Sequence, residues 1–102
     1  MTKRRIVITG MGAVTPLGKN IKELWDGIQH EKCGVGPITL FDATDCPVKI
    51  AAEVKNFKPE EHGIDPKEAS RMARFTQFLL AASKEAVADA NLTEEDLHAE
   101  TT

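Results

Sequence analysis

No apolar run in this chain approaches the roughly 20 residues that a membrane-crossing helix needs. The longest, Phe78 to Ala82, spans a little over one helical turn. The N-terminus opens on basic residues but offers only Ile6, Val7 and Ile8 as consecutive apolar positions, too few for a signal peptide. A cytoplasmic location without membrane insertion is therefore expected. A surplus of positive charge is also missing: 13 Lys and Arg stand against 16 Asp and Glu, a net charge of −3. That excludes the global cationic field that drives nucleic-acid binding, so any basic site must be local. Two cysteines, Cys33 and Cys46, are too few for a disulfide scaffold, and in a reducing compartment they are expected as free thiols. Internal repeats, low-complexity tracts and linker-like shifts of composition are absent as well. With 102 residues, more than one domain is not expected. What remains is a composition of 41% hydrophobic and 28% charged residues, that of a folded globular chain.

Ile6, Val7 and Ile8 form a continuous β-favouring run, and the pattern predicts a strand over Arg4 to Thr9, covered on both faces and central in a sheet. Gly10-Met11-Gly12-Ala13-Val14-Thr15-Pro16-Leu17-Gly18 follows as a loop. Asn20 with Glu23 makes a capping-box pattern, and Ile21, Leu24, Trp25 and Ile28 recur at helical spacing. This helix should bury one stripe and end before Cys33-Gly34-Val35-Gly36-Pro37, read as an irregular connection. Val48 to Val54 is expected as a second strand, with loop from Lys55 to Ile64. Asp65, Pro66 and Glu68 then mark a strong helix start. That helix should run to about Ala90 and be buried on nearly all sides, with Asn91 as a left-handed stop. Thr93 and Asp96 could open a last short helix before Thr101-Thr102.

Two strands and two helices can hardly supply the layers that a central strand and an almost wholly apolar helix require. The expectation is a piece of a larger α/β domain whose C-terminal remainder lies beyond this sequence.

Gly10-x-Gly12 sits where a dinucleotide fingerprint would begin, but Thr15 replaces the third glycine and Pro16 interrupts the helix that should hold the pyrophosphate. A structural turn is the better reading, with a nucleotide-dependent oxidoreductase as the rival. No cofactor is implied. Neither cysteine has the helix N-terminus or neighbouring base that activates a thiolate. His30, Cys33, Cys46 and His62 match no standard zinc spacing, and His98 is expected in solvent. Lys67, Arg71 and Arg74 fall at i, i+4 and i+7 of the second helix and so share one face. Such a ridge is either a solvated surface tied to carboxylates such as Glu68, or a dock for an acidic partner.

Taken together, Arg4 to Gly12 with Thr15-Pro16-Leu17-Gly18, Leu24-Trp25, Cys33-Gly34-Val35, Phe41-Asp42 and Arg71-Met72-Ala73-Arg74-Phe75-Thr76-Gln77 closely resemble the N-terminal part of the β-ketoacyl-acyl carrier protein synthases. The likeness is strongest to the type II enzymes of bacterial fatty acid synthesis and covers essentially all 102 residues. It implies a thiolase-like α/β fold, of which residues 1–102 would be an incomplete first half holding the first two strands and first two major helices. The implied activity is acyl transfer: decarboxylative condensation of an acyl-enzyme with malonyl-acyl carrier protein in fatty acid elongation, by a homodimer. The catalytic Cys and two His of the family would lie beyond Thr102. Cys33 matches a turn position where the family commonly has a small residue such as Ser, and His30, His62 and His98 match no catalytic position. The chain alone is expected to be inactive, without catalytic, metal or cofactor residues. The resemblance places Lys67 and Arg71 on the family's basic carrier-docking surface. Ser70 stands where some members carry another base, and Arg74 is open to docking or to internal packing. A non-enzymatic module that binds acyl carrier protein is the remaining alternative.

Overall fold

Helix formation begins where the local code is strongest. Asn20, in extended conformation, accepts the Glu23 N–H at 2.8 Å, and the Glu23 carboxylate reaches back to the Lys19 N–H at 3.1 Å. This cap, as expected, opens α1 (Ile21–Gln29) in the computed structural model, which describes residues 3–98. The helix ends because Glu31 turns left-handed at φ 54°. That turn lets the Lys32 N–H donate to Gly27 O at 2.9 Å and the Glu31 N–H to Ile28 O at 3.2 Å, the bonding of a Schellman stop.

Beyond that stop the chain departs from expectation. Cys33 to Pro37, read as irregular, contains strand β1 (Val35–Pro37), paired antiparallel with β2 (Ile50–Ala52) in the register Val35 with Ala52 and Pro37 with Ile50. Val48 to Val54 thus holds the expected strand in shortened form. Arg4 to Thr9 is no strand at all, central or otherwise. A strand exists through its ladder, and among the described residues nothing pairs with this stretch, so Ile6, Val7 and Ile8 are 94%, 67% and 84% exposed.

The single helix expected from Asp65 to Ala90 is two. After a 3-10 turn (Pro59–His62), Asp65 accepts the Lys67 N–H at 3.1 Å and caps α2 (Pro66–Ala69). The chain then opens at Ala73, with ψ 154°, before α3 (Arg74–Asp89). The Gln77 side chain holds the break by donating to Ala69 O at 2.9 Å and Met72 O at 3.4 Å, which satisfies carbonyls that a continuous helix would have used itself. Asn91 is the expected left-handed stop, at φ 56°, and the Thr93–Asp96 reciprocal cap starts α4 (Glu94–His98). The continuation toward Thr101-Thr102 lies outside the described residues.

Burial is sparse. Ile64, Ala69 and Ala81 form the buried centre, with Val14, Phe57 and Leu80 packed against it. The α1 stripe is half covered, with Trp25 59% and Ile28 51% exposed, and α3 leaves Phe75 and Leu79 in solvent instead of being buried all round. The accessible surface of 8467 Å² exceeds the about 5,700 Å² typical of a folded protein of this mass by half. The radius of gyration is 17.4 Å, against about 13 Å for a compact domain of this length. No described helix is long and apolar enough to cross a membrane.

Candidate functional site

The break between α2 and α3 redistributes the cationic ridge. Lys67 lies in α2, Arg71 in the turn after it, and Arg74 begins α3, so the three do not share one helix face. Lys67 and Arg71 are exposed, and among the described residues neither forms an ion pair with Glu68 or any other carboxylate. The turn between them is closed by the Arg71 N–H on Glu68 O at 3.0 Å and by the Ser70 hydroxyl on Lys67 O at 2.7 Å. These two side chains therefore present their charge to solvent from a fixed backbone. Arg74 is exposed as well, but its guanidinium is engaged within the chain: it donates to Val54 O and lies 4.9 Å from the centroid of the Phe78 ring, a cation–π contact.

The glycine loop is a packing seat. A Cβ on Gly12 would collide with the main chain of Ala82 and stand 2.9 Å from Ala86 N, and one on Gly10 would stand 2.7 Å from Ala90 N. Only glycine lets the loop lie this close to α3. Two of the loop's N–H groups and the first of α1 are already taken. Asp89 accepts the Met11 N–H at 3.1 Å, and Glu85 accepts the Ala13 N–H at 3.0 Å with one oxygen and the Ile21 N–H at 2.9 Å with the other. A phosphate would need those N–H groups bare, and two carboxylates occupy them. The open cleft beside the loop, about 550 Å³ and bordered by Met11, Lys22, Trp25 and Ala88, contains the same two carboxylates.

Cys33 is exposed, follows the C-terminal end of α1, and directs its S–H toward Val35 O at 3.9 Å. Cys46 is half-buried in the loop before β2. The four residues weighed as a metal set are not brought together: His30 pairs with Asp26 at 3.2 Å, and His62 stacks on Phe57 with ring centroids 4.8 Å apart. Sequence reasoning missed Glu53, a buried carboxylate that accepts the Thr39 hydroxyl at 2.8 Å, the Thr39 N–H at 3.2 Å and the Leu40 N–H at 3.1 Å. Chiefly the Thr39 hydroxyl holds its pKa below the usual glutamate range, against the opposing effect of desolvation. No local pattern could have shown it, because donors and acceptor are 13 to 14 residues apart in sequence.

Fold and matching residues together define a class. Residues 3–102 match the family described as "Beta-ketoacyl synthase, N-terminal domain", and the chain belongs to that family. A solved structure titled "The ishigamide ketosynthase/chain length factor" superposes with a TM-score of 0.79 at 35% identity, covering 93% of this chain and 23% of that one. The fold is accordingly part of a thiolase-like α/β architecture. Among curated relatives, a 3-oxoacyl-[acyl-carrier-protein] synthase 2 from Synechocystis sp. is 42% identical over 100 residues, 98% of this chain and 24% of the relative. A protein of the same name from Staphylococcus aureus is 47% identical over 89 residues, 87% of this chain and 21% of the relative. The chain thus spans between a fifth and a quarter of the length of the curated relatives it matches.

Proposed function

We propose that these residues are the opening part of a 3-oxoacyl-acyl carrier protein synthase of the type II class, an acyltransferase of fatty acid elongation that works as a cytoplasmic homodimer. In that reaction a cysteine thiolate takes an acyl group from its carrier thioester and releases the carrier thiol. Malonyl carrier protein loses carbon dioxide, and the resulting carbanion attacks the acyl-enzyme carbonyl, breaking the enzyme thioester and freeing the cysteine thiolate, to leave a 3-oxoacyl chain longer by two carbons on the second carrier. The observation that carries the reading is 42% identity sustained over 98% of the chain to a protein of that name.

The share of the work given to residues 1–102 is architectural and electrostatic. Cys33 and Cys46 lack an activating helix N-terminus or base, so the thiolate and its histidine partners are assigned to segments beyond Thr102. Lys67 and Arg71, exposed and without carboxylate partners among the described residues, are assigned to docking of the acidic carrier protein. Charges so placed chiefly set association rate and orientation. The same pair would let the chain by itself act as a salt-sensitive carrier-binding module.

The test is an assay of malonyl decarboxylation and condensation with carrier-bound substrates. The polypeptide of the full reading frame is expected to turn over and the 102-residue chain to be silent. Turnover by the short chain that is lost in Cys33→Ser would overturn the assignment.

A further inference from the structure

The segment from Glu53 to Asp65, between β2 and α2, has almost no secondary structure of its own, yet it decides where Lys67 and Arg71 stand. α2 is a single turn of four residues, too short to hold itself. Its N-cap, Asp65, is the last residue of this segment, and Ile64 beside it is buried in the central cluster. The segment reverses twice through left-handed residues, Asn56 at φ 58° and Gly63 at φ 74°. Three of its carbonyls are met by cationic side chains from three separate places in the sequence. The Arg74 guanidinium, from the first residue of α3, donates to Val54 O. The Lys19 ammonium, from the loop before α1, donates to Asn56 O at 3.0 Å. The Lys84 ammonium, from the middle of α3, donates to Gly63 O at 2.8 Å.

Between these three points Phe57 plugs the segment onto α3, edge-on to Phe78 with centroids 4.9 Å apart, and Phe78 also carries the Arg74 guanidinium. Hydrogen bonds from charged donors are stronger than neutral ones. Each of these joins the segment to an element remote in sequence, so together they restrain position as well as local conformation.

We propose that Arg74, Lys19 and Lys84 form a three-point clasp: they are positioning residues that fasten loop 53–65 to α3 and the α1 entrance, and so set the placement of Lys67 and Arg71 for the acidic carrier. Arg74 belongs to the clasp and makes no contact with the carrier. The orientation half of this inference rests on the docking reading above; the clasp itself does not.

Two measurements on the full-reading-frame protein separate the two. Amide exchange at Glu61, Gly63 and Ile64, whose N–H groups bond within the segment, is expected to quicken by roughly threefold or more in Arg74→Gln and in Lys84→Gln. Arg74→Lys, which keeps the charge but has a shorter reach and no planar fork, should restore part of the protection. Carrier affinity is then followed against added salt. Lys67→Gln and Arg71→Gln should flatten the salt dependence, whereas Arg74→Gln should lower affinity modestly with the dependence unchanged. Unchanged exchange in both Arg74→Gln and Lys84→Gln overturns the clasp. Flattening by Arg74→Gln equal to that of Lys67→Gln overturns its assignment as a positioning residue. If neither Lys67→Gln nor Arg71→Gln alters carrier binding while exchange still quickens in the clasp variants, the docking reading fails and the clasp stands.

Discussion

At the scale of single residues, two side chains sit under opposite kinds of constraint. Glu31 closes α1 in a left-handed conformation that a side chain with a Cβ adopts at a cost of about 1–2 kcal/mol. Glu31→Gly should remove that strain, less the extra entropy glycine brings to the unfolded chain, for a net gain of about 0.5–1 kcal/mol. Slower amide exchange at Lys32, by roughly two- to fivefold, is the measurement that checks it. Glu53 is held by hydrogen bonds to its charged form. Its folded pKa lies below the ordinary glutamate value, so its contribution is complete above the ordinary range and is lost as pH falls through the lowered value. Thr39→Val removes the hydroxyl donor that chiefly lowers it; an NMR titration should then find the Glu53 carboxyl moved upward and the Thr39–Leu40 loop released at a higher pH.

Among the elements, the joint between α2 and α3 is reinforced by one side-chain amide. Gln77→Leu leaves the carbonyls of Ala69 and Met72 without their side-chain donor and should cost about 1 kcal/mol. The loss would be read as fraying of α2 in amide exchange at Ala69 and Ser70. This joint also shows what sequence could and could not reveal. The caps at Asn20, Asp65 and Thr93 and the stop at Asn91 were legible because each is settled within a few residues by short side chains and backbone geometry. The break at Ser70 to Ala73 was not, since it contains neither glycine nor proline and is held by Gln77 from the next helix. β1 was illegible for a related reason: Gly36 and Pro37 read as a turn, and only the pairing with Ile50 to Ala52 makes them strand. Arg4 to Thr9 erred in the other direction, because β propensity describes a surface ready for pairing and cannot supply the partner. For the candidate site, the exposure of Lys67 follows from its place in the first turn after the Asp65 cap, whereas the turn that carries Arg71 and the hydrogen bond that engages Arg74 with Val54, twenty residues away, depend on tertiary contacts.

For the whole molecule, the surface in excess of a compact domain includes many large apolar side chains. Ile6, Val7 and Ile8 lie on one segment outside any helix or strand, Phe75 and Leu79 on one helix face, and Trp25 with Ile28 on another. Surface of this kind associates. The 102-residue chain is expected to bind a hydrophobic dye and to sediment as concentration-dependent oligomers. Paired Ile6→Lys and Ile8→Lys substitutions should lower the oligomer fraction, and sedimentation at several concentrations decides it. The seat of the glycine loop on α3 has a different consequence, for how this sequence can vary. A methyl group at position 12 would strike the main chain of Ala82, not its side chain, so no shrinkage elsewhere can make room for it. In a saturation library position 12 should stay monomorphic in every second-site background. Gly36, whose nearest such neighbour is the tip of Lys55 at 3.9 Å, should accept alanine at once.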